Sequence, residues 1–158
     1  MTEADISFLV ESPITDLSVT TTDGAVTKIV FGKHTVRPPE DKLERRIANE
    51  LHEYFAGTRT EFTFPIEAAG TDFNRKVWEQ ISRIPYGKTR TYGEIARTIE
   101  NPGAFRAVGT ANGRNPIPIV IPCHRVVAAG GKLGGFGGGL PLKRKLLDLE
   151  CSNSPALG

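Results

Sequence analysis

This chain has little cysteine, no long apolar run and no regular repeat, and each shortage closes off a class of protein. Its 158 residues include 2 Cys, too few for a disulfide framework. No apolar stretch reaches the length of a membrane span, and "MTEADISFLV" lacks a basic region followed by a long hydrophobic segment. The expectation is a soluble protein with no signal peptide and no membrane partner, in a reducing, cytoplasmic setting. Neither a coiled-coil period nor an internal repeat is present. Hydrophobic residues make up 39% of the chain and charged residues 24%, enough for one large domain or two small ones.

The net charge of +2 conceals an asymmetry. Residues 1–70 hold 7 Lys/Arg against 12 Asp/Glu, and residues 71–158 hold 13 against 6. A basic C-terminal half suggests a polyanionic partner; a solvated surface of uneven charge reads equally well from charge alone.

Apolar alternation near 5–12, 16–21 and 25–31, with Asp23-Gly24 between the last two, predicts a small antiparallel sheet with a tight hairpin. Pro38 and Pro39 then break regular structure. Leu43, Ile47, Leu51 and Phe55 recur every four residues, the stripe of an amphipathic helix, with Gly57 just beyond as a stop. "TRTEFTFPIEAAG" predicts a strand and a linker. In the basic half, Phe73, Val77, Ile81 and Ile84 share a helical face, Thr71 or Asp72 caps its start, and Pro85 and Gly87 end it. Thr91 with Glu94 three positions on is a capping box. "AFRAVGTANGR" reads as another short helix after an Asn101-Pro102-Gly103 turn. The pair suggests a helix-turn-helix, although pattern alone favours an ordinary helix pair. A last helix, "PLKRKLLDLE", turns Leu142, Leu146 and Leu149 inward and its cations outward, and "CSNSPALG" reads as a frayed tail.

The chemistry concentrates in "NPIPIVIPCHRVV", residues 115–127, read as a strand ending in a turn at Cys123. A thiol beside His124 and Arg125 is expected to ionise easily, because an imidazole and a cation favour the nucleophilic thiolate. Such a pair needs a group that orients the base, and Glu150 and Asn115 are candidates. A metal site is the competing reading, but adjacent Cys-His is poor chelate spacing. His34 and His52 are isolated, and Cys151 reads as an incidental thiol. Seven of the ten residues from Gly130 to Gly139 are glycine. This loop fits neither phosphate-binding fingerprint; it reads as a pocket wall, with a flexible linker as the plain alternative.

Taken together, "PCHRV", "RAVGTANGRNPIPIVIPCHRV", "GTDFNRKVWEQISRIPYGKTRTYGEIA" and "GGFGGGLPLKRKLLDLE" closely resemble the O6-alkylguanine-DNA alkyltransferases, in that family's order from Gly70 to Glu150. The resemblance implies a mixed α/β fold of the α+β kind. Residues 1–70 would form an N-terminal domain with a small antiparallel sheet and a helix. Residues 71–151 would form a mostly helical, winged helix-turn-helix-like alkyltransferase domain, followed by a tail at 152–158. It implies DNA repair by direct reversal: the nucleotide flips out of the duplex, and the O6-alkyl group passes irreversibly to Cys123, once per molecule, with O4-alkylthymine as a further substrate. The expected partner is double-stranded DNA containing O6-alkylguanine; the protein is expected to be a monomer in solution, open to cooperative assembly on DNA, without cofactor or metal.

The same resemblance assigns roles by position. Cys123 accepts the alkyl group, His124 takes its proton through a water, Glu150 orients His124, and Asn115 braces the turn. Tyr92 presses on a phosphate and offers its hydroxyl to the leaving base, and Arg106 fills the vacated place in the stack. Ala104 to Arg114 become a recognition helix in the minor groove, with Ala104, Ala107, Gly109, Thr110, Ala111, Asn112 and Arg114 at DNA, joined by Arg125. Val126, through its carbonyl, Pro118, Phe136, Gly137 and Gly138 line the pocket. Phe136 stands where some members have a tyrosine, and the cysteines that hold zinc in some relatives are missing. Two other readings compete: a damage-recognition protein without chemistry, against which the intact "PCHR" argues, and a cysteine hydrolase, for which no oxyanion hole is evident.

Overall fold

The computed structural model describes residues 5–154 and divides between Ala69 and Gly70 into two compact units. Residues 1–4, the start of the segment read as lacking a signal, and 155–158, the end of the expected tail, lie outside the described residues. The arrangement is mixed α+β.

In the first unit, strands β1 (Ile6–Val10), β2 (Leu17–Thr22) and β3 (Ala25–Phe31) form an antiparallel sheet in sequence order. Asp23 and Gly24 both take positive φ, 54° and 79°, as a two-residue hairpin of this twist requires. Helix α1 (Lys42–Phe55) begins where Asp41 accepts from the backbone N–H of Glu44, 2.7 Å away. Its Ile47, Leu51 and Phe55 are buried with Phe8, Val19 and Val26 of the sheet in the unit's core. Leu43, expected on the same stripe, is only half-buried; the more deeply buried neighbour is Glu44, held by Arg37 at 2.8 Å. The strand expected in "TRTEFTFPI" shrinks to one bridge between Val26 and Ile66.

The second unit opens with α2 (Asp72–Ser82), capped by the Thr71 side chain on Asn74 N–H. Gly70 has no room for a side chain, since a Cβ there would lie 2.5 Å from the Trp78 ring. Strand β4 (Arg90–Thr91) leads into α3 (Tyr92–Thr98), whose start is the complete Thr91/Glu94 capping box. One turn of 3₁₀ helix (Pro102–Ala104) runs into α4 (Phe105–Gly113). Val108 and Ala111 of α4 are buried, and the Ala111 carbonyl accepts from Trp78 Nε1 at 2.8 Å.

The strand expected over 115–121 does not form. Pro116, Pro118 and Pro122 have no N–H to give a ladder. The segment instead closes on itself: Asn115 Nδ2 donates to the Ile121 carbonyl at 2.8 Å, and Ile121 N–H donates to the Ile117 carbonyl at 2.9 Å. Cys123–Arg125 is a 3₁₀ turn, and β5 (Val126–Val127) then pairs in parallel with β4. Helix α5 (Leu140–Asn153) runs two residues into the expected tail. Leu146 is buried, and Leu142 and Leu149 are half-buried. The expected outward set of cations fails at Lys143, which is completely buried. Among the described residues, no helix is long and apolar enough to cross a membrane.

Candidate active site

Three elements distant in sequence meet at the Cys123 turn. From α5, Glu150 reaches under the turn and accepts from His124 Nε2 at 2.6 Å. Arg125 also binds this carboxylate, through Nε at 2.7 Å and Nη2 at 3.1 Å, and Gly87 N–H adds a bond of 3.2 Å. The remaining guanidinium nitrogen of Arg125 donates to the Ile84 carbonyl at 2.7 Å, and the Tyr86 ring lies 5.6 Å from its Cζ. Arg125 is therefore buried and engaged within the protein, which corrects its expected place on the DNA surface. Gly87 sits at φ 78°, and a Cβ there would come within 1.9 Å of Ser154 Oγ, so a larger residue would be strained at this φ and would force the Ser154 side chain to move.

The electrostatics of this set are decided by burial and pairing. Burial alone would push Glu150 up, but hydrogen bonding and charge from His124, then Arg125, outweigh it and hold the carboxyl at about 2. Burial drives His124 below its ordinary value despite the opposing pull of Glu150. A neutral imidazole beside an ionised carboxylate carries its proton on Nε2, which makes Nδ1 the basic atom.

The thiol departs from the sequence expectation. Cys123 is buried, and burial raises it to about 11, against smaller lowering by a hydrogen bond from Asn115 and the charge of Lys143. The side chains of the two bases next to it in sequence bind Glu150, and neither is among the side chains that lower the thiol. The resting group is a thiol, and a nucleophilic role would require it to lose that proton.

Asn115 holds the loop before the cysteine through both ends of its amide, with Ile117 N–H donating to Oδ1 at 2.9 Å. Asn112, expected at DNA, is buried and donates from Nδ2 to the Cys123 carbonyl at 3.3 Å. Ala111 is buried as well, which removes it from an outward face. Arg106, Ala107, Thr110 and Arg114 are exposed on α4, and Ala104 and Gly109 are half-buried.

Parallel pairing of Thr91 with Val127 brings Tyr92 to the cysteine turn. The Tyr92 hydroxyl is raised above its ordinary range by burial, opposed by a bond from Gly135 N–H. A Cβ on Gly134, which has φ 73°, would lie 2.7 Å from that hydroxyl, so the glycine loop passes where only glycine fits. Phe136 is half-buried, Gly137 and Gly138 are exposed, and Pro118 is buried in a bridge with Ile121.

Lys143 is the residue that sequence reasoning missed. Its ammonium donates to the carbonyls of Val126 at 2.7 Å, Gly135 at 3.2 Å and Leu133, tying the glycine loop to β5. Burial lowers it to about 8, opposed by Cys123. The Val126 carbonyl expected to meet a base thus already accepts a bond from Lys143. The signal was available: 143, 146 and 150 share one helical face.

A buried cysteine beside a carboxylate-held imidazole, with a helix of small residues in the basic half, is the arrangement of a DNA-acting protein that carries a cysteine centre. The family model for the DNA-binding domain of 6-O-methylguanine DNA methyltransferase matches residues 72–152. A methylated-DNA--protein-cysteine methyltransferase of Mycobacterium tuberculosis is 46% identical over 153 residues, 93% of each chain. One from Methanosarcina mazei is 42% identical, over 92% of this chain and 96% of that protein. The fold superposes on the crystal structure of the Mycobacterium tuberculosis O6-methylguanine methyltransferase with a TM-score of 0.86 at 43% identity, covering 97% of this chain and 96% of that one. A structure of Mycobacterium tuberculosis OGT in complex with DNA matches with a TM-score of 0.85 at 45% identity, covering 95% of each. The chain belongs to the methylated-DNA--protein-cysteine methyltransferase family.

Proposed function

We propose that this protein repairs O6-alkylguanine in duplex DNA by transferring the alkyl group to Cys123. The observation that carries this reading is the buried link from the Cys123–Arg125 turn through His124 to Glu150, in a chain of the methyltransferase family. The Sγ–carbon bond forms as the O6–carbon bond breaks. The thiol proton passes through a water to His124 Nδ1, and the imidazolium is stabilised by Glu150. The departing guanine takes a proton from the Tyr92 hydroxyl, which burial keeps protonated, and the proton on His124 restores the tyrosine. A thioether offers no good leaving group, so each molecule acts once.

The target carbon is inside the base stack, so the nucleotide must leave it, at a cost of roughly a few kcal/mol. The exposed Arg106 on α4 suits the vacated space, and the small Ala107 and Gly109 suit close approach to a groove floor. The Val126 carbonyl, which can accept a second bond beside that from Lys143, suits the exocyclic amine of guanine, with Pro118 and the 136–138 loop as the pocket walls. A thiol spent in the reaction must stay reduced, which fits a cytoplasmic setting.

The test is incubation with duplex DNA carrying O6-methylguanine labelled in its methyl group. One equivalent of label at most should appear on the protein, at Cys123, and Cys123→Ser should abolish it. DNA binding without label would overturn this function in favour of damage recognition, and repeated turnover of an ester would favour a hydrolase.

A further inference from the structure

We propose that Phe105 is a second DNA-inserting side chain, which acts with Arg106 to hold the duplex open beside the reacting cysteine. This rests on the alkyl-transfer reading above. Phe105 begins α4 and is 48% exposed, the one large apolar side chain on a helix whose other outward positions are Arg106, Ala107, Thr110, Gly113 and Arg114. Its ring lies 5.8 Å from the Arg106 guanidinium carbon, so the two side chains form a cation–π pair.

Helical geometry separates the roles of the two. Residues three and four apart share a row, so Phe105, Gly109 and Asn112 form one row and Arg106, Thr110 and Gly113 the next. The first row faces the reacting turn. A Cβ at Gly109 would stand 3.8 Å from the Tyr92 ring, and Asn112 bonds the Cys123 carbonyl. Phe105 is the outer end of that row, two helical turns or about 10 Å from Asn112. It therefore lies on the cysteine side of Arg106.

An exposed phenyl ring in a basic, DNA-facing half suits a base face better than water. Proteins that open or kink a duplex from the minor groove use apolar wedges such as Phe or Leu between base steps, and base–aromatic stacking is tolerant of sequence. The pairing divides the work. Arg106 supplies charge and a flat surface in the gap, and Phe105 covers the neighbouring base on the side from which the lesion has left. The ring also limits the guanidinium to fewer orientations before DNA arrives, which lowers the ordering cost of insertion.

The test compares single-turnover alkylation of Cys123 by duplex O6-methylguanine and by free O6-benzylguanine base. Phe105→Ala should slow the duplex reaction about tenfold and leave the free-base reaction within twofold, and Phe105→Leu should keep most of the duplex rate. Phe105→Ala combined with Arg106→Ala should lose less than the product of the single losses, as expected for two parts of one plug. A duplex rate within twofold of wild type for Phe105→Ala, or an equal loss on free base, overturns the inference. A wild-type protein inert toward both substrates would instead overturn the underlying function.

Discussion

Replacing Glu150 by Gln keeps the shape of the side chain and removes its charge. The carboxylate receives hydrogen bonds from His124, two nitrogens of Arg125 and Gly87. An amide has one oxygen, so its NH2 group must face a donor. The buried guanidinium of Arg125 also loses its counter-charge. The carboxyl is held at about 2 against an ordinary 4.5 by His124 and then Arg125. Breaking a buried ion pair from one side costs about 3–5 kcal/mol. Urea unfolding at neutral pH should therefore show a midpoint lowered by about 1–2 M with little change in slope. The chemistry should suffer separately. Gln can donate to Nε2, which moves the imidazole proton to Nδ1 and removes the base. A change of tautomer of this kind costs about four orders of magnitude in a serine protease triad, and a loss of at least a hundredfold in single-turnover methyl transfer is expected here. The two readouts separate at a temperature where the variant is folded. A midpoint within about 0.3 M of wild type, or wild-type transfer by folded protein, would refute the assignment of Glu150 as the charge that organises the turn.

Acid should weaken the fold in two stages. The folded state holds His124 and Glu150 below their ordinary values, so the unfolded chain binds more protons, and stability falls as pH drops. The loss should start below about 6.5 with His124 and steepen below about 4.5 toward 2 with Glu150, measured as urea midpoints across pH; a midpoint constant from pH 7 to 4 would contradict it. Gly134→Ala combines a positive φ with a clash on Tyr92, whereas Gly130→Ala, at φ 76° with nothing within 4 Å, carries strain alone. Both should lose about 1–2 kcal/mol, but only Gly134→Ala should slow alkyl transfer, by more than tenfold; equal transfer rates would remove the close approach of loop and tyrosine from the mechanism. Lys143→Met should leave three carbonyls without their donor and remove a charge that favours the thiolate. At neutral pH, where Lys143 still carries its charge, thiol alkylation by iodoacetamide should then be slower than in wild type, and an unchanged rate would show that Lys143 does not act on the cysteine.

Local chemistry in the chain was enough for much of this architecture. Asp23-Gly24 specifies its hairpin because both residues tolerate positive φ, and Thr91-x-x-Glu94 caps its helix with atoms that are never more than a turn apart. Apolar spacing marked α1, α2 and α5, since a helix repeats on its own period whatever it packs against. The motif around Cys123 marked the turn, and with it Glu150 and Asn115, which the fold gathers there. Apolar spacing misread 115–121 as a strand, because ladder formation needs N–H groups that three prolines remove and a partner edge that Asn115 replaces with a local clasp. The family resemblance placed Arg125, Ala111 and Asn112 at DNA, yet all three are buried, because whether a side chain meets solvent depends on what packs over it.

The largest gap concerns charge. A cysteine between a proline and a histidine reads as an activated thiol, yet the folded protein holds it near 11 in its resting state. Ionisation is set by dielectric and by the nearest charges in space, and those come from far along the chain. Glu150, 26 residues beyond His124, captures both neighbouring bases. Lys143, drawn inward by carbonyls of 126, 133 and 135, supplies the cation that remains. Residue types and spacing thus decided which groups could react, and only the packing of α5 against the turn decided their protonation, because that packing sets both the water excluded and the partners left.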